Sequence, residues 1–265
     1  MTPTVAPATG RLGVLTVGLG AVSSTLIAGV ELVKRGLGQP IGSLTQMDTI
    51  RLGKRTDGRT PLIKDFVPLA DLSDVVFGAW DPFPDDAYVA ATRAGVLEGG
   101  KHIEQISEAL RDVRPMKAAF DREYVKRIDA DNTIGTVGKR AMLEAIREDI
   151  NRFREEKQCD RLVMIWAAST EIFIEPGPAH QNLEAFEAAI DANDPTIAPS
   201  MLYAYAAILE GVPFANGAPN LTVDIPVLRE LAIEKKVPIS GKDFKTGQTL
   251  IKTVIGPMLR ARMLG

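Results

Sequence analysis

Leu12-Gly13-Val14-Leu15-Thr16-Val17-Gly18-Leu19-Gly20 is an apolar run that ends in two glycines. Ala21-Val22-Ser23-Ser24-Thr25-Leu26-Ile27-Ala28-Gly29-Val30-Glu31-Leu32-Val33-Lys34-Arg35-Gly36 follows it without a break. The first stretch reads as a buried strand, the second as a helix with a basic last turn and a glycine stop. Strand, Gly-x-Gly, helix is the opening of a dinucleotide-binding unit. Its glycines let the backbone approach a pyrophosphate, and the helix N-terminus presents unpaired N–H groups to that charge. Ser23 stands where the full fingerprint has a third glycine. Gly-x-Gly alone is a weak signal, and its place between strand and helix gives it weight. The apolar run of residues 12–33 is long enough to raise the question of a membrane span. Gly18, Gly20, Ser23, Ser24 and Glu31 interrupt it, so a buried strand leading into a buried helix explains it better.

Working outward, no strand ending in an acid arrives about twenty residues on, where a standard unit would have one. A polar, basic stretch over residues 51–64 comes instead, and the second clear strand is Asp74-Val75-Val76-Phe77-Gly78-Ala79-Trp80, closed by Asp81-Pro82. Asp81 can accept hydrogen bonds from a ribose diol at that strand end, or can simply start an Asp-Pro turn. A helix is expected over residues 85–98, with Ala87, Ala90, Ala94 and Leu97 on one face. A charged helix is expected over 139–157, with Met142, Ile146, Ile150 and Phe153 facing inward. Residues 111–128 are polar and amphipathic. Residues 160–171 read as another buried parallel strand, ending at Ser169 and Thr170, where open α/β sheets place ligands. Helices over 184–192, 199–211 and 225–236, with a strand entering the loop before Asn216, complete the alternation. The class is α/β, a Rossmann-like doubly wound sheet, mostly parallel.

Composition sets bounds on function. The 265 residues carry a formal net charge of -3, which gives no electrostatic case for nucleic acid or an anionic membrane. One cysteine, Cys159, rules out an internal disulfide framework and fits a reducing, cytoplasmic setting. His102 and His180 are the only histidines, too few and too scattered for a metal cluster, and no metal is expected. Residues 1–10 read as a disordered lead-in without the basic region of a signal peptide.

The last motif is Ser240-Gly241-Lys242-Asp243-Phe244-Lys245-Thr246-Gly247-Gln248-Thr249-Leu250-Ile251-Lys252-Thr253. It sets a glycine turn, an acid and two lysines seven residues apart around a helix start. On a helix, Lys245 and Lys252 would lie two turns apart on one face. Beside a helix N-terminus, that pair suits a phosphorylated or enolate-forming substrate. The plainer reading is a solvated helix start with surface lysines.

Taken together, the motifs resemble one family. They are Gly18-Leu19-Gly20-Ala21, Gly42-Ser43-Leu44-Thr45-Gln46, Trp80-Asp81, Ala168-Ser169-Thr170-Glu171, Asn216-Gly217-Ala218-Pro219 and the stretch from Gly241 to Thr249. In this order they resemble myo-inositol-1-phosphate synthase of the shorter prokaryotic type, over roughly residues 11 to 259. The resemblance implies an NAD-dependent isomerase of D-glucose 6-phosphate. Carbon 5 is oxidised, a carbon 6 proton is lost, the enolate attacks the carbon 1 aldehyde, and the hydride returns. It also implies roles. Gly18, Gly20, Ala21 and Val22 would line the pyrophosphate and Asp81 would meet the adenosine ribose. Ser169 and Thr170 would sit by cofactor and sugar, with Gly241 and Asp243 near the nicotinamide. Lys245 and Lys252, with Asp243, would be catalytic, and Asn216 would join the two lysines in holding substrate. Val22-Ser23-Ser24 departs from the family's loop, which carries asparagines and a further glycine there.

The resemblance divides the chain into a lead-in (1–10), an NAD-binding domain (11–200) and the start of a catalytic and tetramerising domain (201–265). Family members run well beyond position 265. The expectation is therefore a fragment of a homotetrameric enzyme that binds NAD weakly and lacks synthase activity by itself. Two other readings stay open: a dehydrogenase of another small phosphorylated substrate, and a non-catalytic NAD-binding or assembly module.

Overall fold

The computed structural model describes residues 8–135, 137–244 and 247–263. Its strands are β1 (Leu12–Val17), β2 (Val75–Asp81), β3 (Pro115–Lys117), β4 (Arg161–Trp166), β5 (Phe214–Asn216) and β6 (Ile239–Ser240). They form one sheet in the order β3-β2-β1-β4-β5-β6, with every neighbouring pair parallel. From β1 the chain runs outward to β2 and β3, then crosses back to lay β4, β5 and β6 on the other side. Strand order thus reverses between β1 and β4, and in open α/β sheets ligands bind outside the strand ends at that point.

The helices are α1 (Ala21–Lys34), α2 (Leu44–Met47), α3 (Ile63–Phe66), α4 (Ala87–Ala94), α5 (Ser107–Arg111), α6 (Lys139–Glu156), α7 (Leu183–Asp191), α8 (Pro199–Leu209), α9 (Pro226–Lys235) and α10 (Gly247–Ala261). The strands are apolar on both sides because both sides are covered. Val14, Phe77 and Ala79 join a core with Ile27, Leu32 and Ala91, from α1 and α4. Leu15, Trp80 and Met164 join a second core with residues of α6, α7, α8 and α9. Gly13 on β1 and Gly78 on the adjacent β2 make room for the Phe153 ring. A Cβ there would come within 2.8 and 2.6 Å of it.

Several expectations shift in detail. The excursion between α1 and β2 holds two single-turn helices, α2 and α3, and an antiparallel bridge between Thr49 and Leu62. α4 stops at Gly95, which takes a left-handed φ of 63° and caps it, so the expected helix over 85–98 is cut short. The boundary expected at residue 200 falls inside α8. Every residue from Pro199 to Ile208 is buried, and β5 and β6 continue the same sheet. A helix apolar on all sides is a core helix, and this one packs against α6 and α9 as part of the dinucleotide-binding fold. By contrast, every side chain described in α10 is exposed. Among the described residues no helix is long and apolar enough to cross a membrane.

Candidate functional site

A cavity of about 510 Å³ opens at the C-terminal ends of β1, β2 and β4, where the strand order reverses. Its near wall is the glycine loop. Gly18 has φ 98°, a left-handed value that glycine adopts freely, and its N–H donates to Trp80 O at 2.7 Å. A Cβ on Gly18 would stand 2.6 Å from Ala168 Cα, so the loop lies against the end of β4 only because that position is glycine. Gly20 begins α1 with no side-chain cap, and no acid occupies the first turn. The first N–H groups of α1 are therefore left for an anion. Ala21 and Val22 are exposed and line the cavity. Ser23, in the place of the third glycine, is buried, and its hydroxyl has no partner among the described residues.

Asp81 ends β2 and also lines the cavity. It accepts from Leu19 N at 2.6 Å and from Phe83 N at 2.9 Å. Of the two readings of this residue the turn is realised, and the carboxylate also pins the glycine loop. Burial pushes its carboxyl up, against the pull of these two N–H groups. At the rim, Arg93 pairs with Asp85 at 2.6 Å.

The opposite wall comes from residues 118–121 after β3. Ala119 N donates to the Tyr203 hydroxyl at 2.9 Å, so α8 holds this wall directly. Tyr203 is fully buried and packs edge-on between Trp80 and Trp166, with ring centroids 5.3 and 5.9 Å away. Residues 166–169 and Glu171 close the floor.

The structure brings Gly18, Gly20, Ala21, Val22, Asp81 and Ser169 to one cavity, whose lining does not include Thr170, Asn216, Gly241, Asp243 or Lys252. Thr170 is exposed and lies off the lining. Asn216 is fully buried and spends its amide within its own turn: Nδ2 donates to Asn220 O and Oδ1 accepts from Ala218 N, both at 3.0 Å. A substrate-holding role for Asn216 has no exposed polar atom to act through. Gly241 and Asp243 stand on the far side of that turn. Asp243 N donates to Ala218 O at 3.1 Å and Phe244 N to Gly217 O at 3.0 Å. Lys242 pairs with Asp224 at 2.8 Å. Lys252 is exposed on α10, and Lys245 lies outside the described residues.

One residue of the cavity was not singled out from the sequence. Glu171 is 4% exposed, and it accepts from Ser200 N at 2.9 Å, from Asn220 Nδ2 at 3.1 Å and from Ser200 Oγ. Burial pushes its carboxyl up to about 7 although these donors oppose the shift. Its signal lay in an acid directly after a strand-end Ser-Thr. His180 and Cys159 have structural settings. His180 is buried between Gly177 N and Thr196 O, and burial pushes the Cys159 thiol up.

A family model of an NAD-binding domain, described as Myo-inositol-1-phosphate synthase, matches residues 12–263. The chain belongs to the myo-inositol-1-phosphate synthase family. It is 50% identical over 263 residues to inositol-3-phosphate synthase 1 of Bacteroides thetaiotaomicron, covering 98% of this chain and 60% of that one. It is 32% identical to the inositol-3-phosphate synthase of Saccharomyces cerevisiae over 94% of this chain and 51% of the yeast protein. Among solved structures, inositol-3-phosphate synthase from Caenorhabditis elegans superposes with a TM-score of 0.85 at 28% identity, over 96% of this chain and 53% of that one. The chain thus spans between about half and three fifths of the length of these relatives. NAD is the cofactor of the family, and the site fits it. The Gly18 cradle, the open N-terminus of α1 and the strand-end carboxylate of Asp81 are what a dinucleotide requires.

Proposed function

We propose that this chain carries the NAD site of an inositol-3-phosphate synthase converting D-glucose 6-phosphate into 1L-myo-inositol 1-phosphate. The observation that carries the reading is the cavity at the β1–β4 reversal, with Gly18 wedged against Ala168 and Asp81 fastened to the glycine loop. Bound NAD supplies the oxidation and the later reduction, so no net NADH is released. Within this chain, Gly18 lets the loop approach the pyrophosphate, the amides of residues 20–22 hold it, Asp81 accepts from the adenosine ribose, and Ser169 meets the nicotinamide half. The Gly241–Asp243 strap, hung on the turn after β5, leads into the lysine motif. There Lys245 and Lys252, with Asp243, hold phosphate and steady the developing enolate charge. One of the two lysines exchanges the proton at carbon 6. Catalysis and tetramer formation belong to the part of the enzyme that follows β6, and the assembly works in the cytoplasm.

The test is stoichiometry. The whole synthase that contains this chain, given glucose 6-phosphate and NAD, forms inositol phosphate while free NADH stays flat. Accumulation of NADH in step with substrate loss would replace the synthase by a dehydrogenase. Lys245→Ala and Lys252→Ala abolish turnover and leave NAD binding in place. Unchanged turnover in both would remove these lysines from the chemistry, and NAD binding without any turnover in the wild type would leave only a binding module.

A further inference from the structure

Glu171 is an expensive side chain to bury, because an ionised carboxylate loses its hydration unless several donors replace it. Here the donors come from two distant elements. Ser200, in the first turn of α8, gives both its N–H and its hydroxyl, and Asn220 gives Nδ2. Asn220 Nδ2 also lies 3.2 Å from Ser200 Oγ and 3.1 Å from Thr222 Oγ1, so the three side chains close one buried cluster. The cluster touches the cavity on one side only, through Glu171.

On its other side the cluster continues into the lysine motif. Asn220 O accepts from Asn216 Nδ2, which closes the turn over residues 216–220. Gly217 O and Ala218 O of that turn then accept from Phe244 N and Asp243 N. A Cβ on Gly217 would lie 2.7 Å from the Phe244 ring, so the strap is seated closely on the turn. The floor of the cavity and the strap before Lys245 are thus joined through four residues: Glu171, Asn220, Asn216 and Ala218.

We infer that Glu171 is a positioning residue of the synthase reaction, tying the floor of the dinucleotide cavity to the turn that carries the lysine strap. The inference rests on the function proposed above for its meaning, though not for its test. Glu171→Gln keeps the shape but points an amide N–H₂ at the Asn220 amide, so donor faces donor, while the Ser200 hydroxyl must turn from donating to accepting. Pairing it with Asn220→Asp reverses the polarity of the contact and restores a donor and an acceptor.

The experiment is hydrogen exchange read amide by amide, together with turnover, on the whole synthase that contains this chain, as wild type, Glu171→Gln and the double variant Glu171→Gln/Asn220→Asp. In Glu171→Gln the amides of Ala218, Asp243 and Phe244 exchange about tenfold faster while those of β1 and β2 keep their rates, as expected for loss of a charged hydrogen bond. Turnover falls by a similar factor, and the double variant recovers both. Unchanged exchange at 218, 243 and 244 would overturn the inference. So would equal acceleration in β1 and β2, which is general loosening, or a double variant no better than the single one. Absence of NAD binding or synthase turnover in the wild type would instead remove the proposed function, and the exchange comparison would still decide the linkage.

Discussion

Two helices of this chain are rich in apolar residues and have opposite surroundings. α8, 11 residues long, is buried from Pro199 to Ile208. α10, 15 residues long, leaves Ile251, Val254, Ile255, Met258 and Leu259 exposed. α8 presents Tyr203 to Ala119 and Ser200 to Glu171, and so builds the cavity from behind. α10 carries Lys252 and makes no comparable contact with the sheet among the described residues. Apolar content therefore does not measure a helix's part in the fold. The fold and the dinucleotide cavity depend on α8, whereas α10 carries Lys252, proposed above as catalytic, without being packed on the sheet.

That difference can be broken by experiment. The largest effect belongs to Tyr203→Ala, which opens a void between Trp80 and Trp166 and frees the wall at Ala119. It destabilises the protein by about 3–5 kcal/mol in denaturant titration, and a loss below ~1 kcal/mol would mean α8 is not the keystone. Next comes Glu171. Its carboxyl is held near 7 in the fold against 4.5 in an open chain, chiefly by burial, with Asp121 adding and Ser200 and Asn220 opposing. The folded state then binds the proton more tightly, so stability falls as pH rises from about 4.5 through 7, by roughly 3 kcal/mol at most. Glu171→Gln flattens this slope in melting curves taken across that range. An equal slope in wild type and variant would place the pH dependence elsewhere. Asp81→Asn removes the charge that holds Leu19 N and that is proposed above to meet the ribose. It weakens NAD binding about tenfold by calorimetry, in line with a lost charged hydrogen bond. The smallest effect is on the other helix: Val254→Asp, on the exposed face of α10, leaves stability within about 0.5 kcal/mol. A larger loss would show that α10 packs on the sheet after all.

The same contrast separates what could be read in the sequence from what could not. β1, the glycine loop and α1 were legible because a continuous apolar run, two glycines and a helical run are local signals. Asp81 and Ser169 followed from the rule that strand ends carry ligands. The fate of Glu171 was not local. Its burial depends on Ser200 and Asn220, 29 and 49 residues away, and a lone acid after Ser-Thr reads as surface. β3 has three residues and ends in Lys117, too short and too polar for a pattern. Asn216 looked like a substrate ligand by its motif, yet its amide is consumed within its own turn. The division at residue 200 came from the resemblance, and α8 runs across that position, packed beside α6 and α9.

The central claim is that the cavity at the β1–β4 reversal is the NAD site and exists because Gly18 is glycine. Calorimetric titration of NAD into the wild type and Gly18→Ala tests it most directly. The wild type binds one NAD per chain, and Gly18→Ala loses at least about a hundredfold in affinity, since its Cβ drives the loop off Ala168 and out of its left-handed turn. Equal affinity in the two proteins would contradict the account.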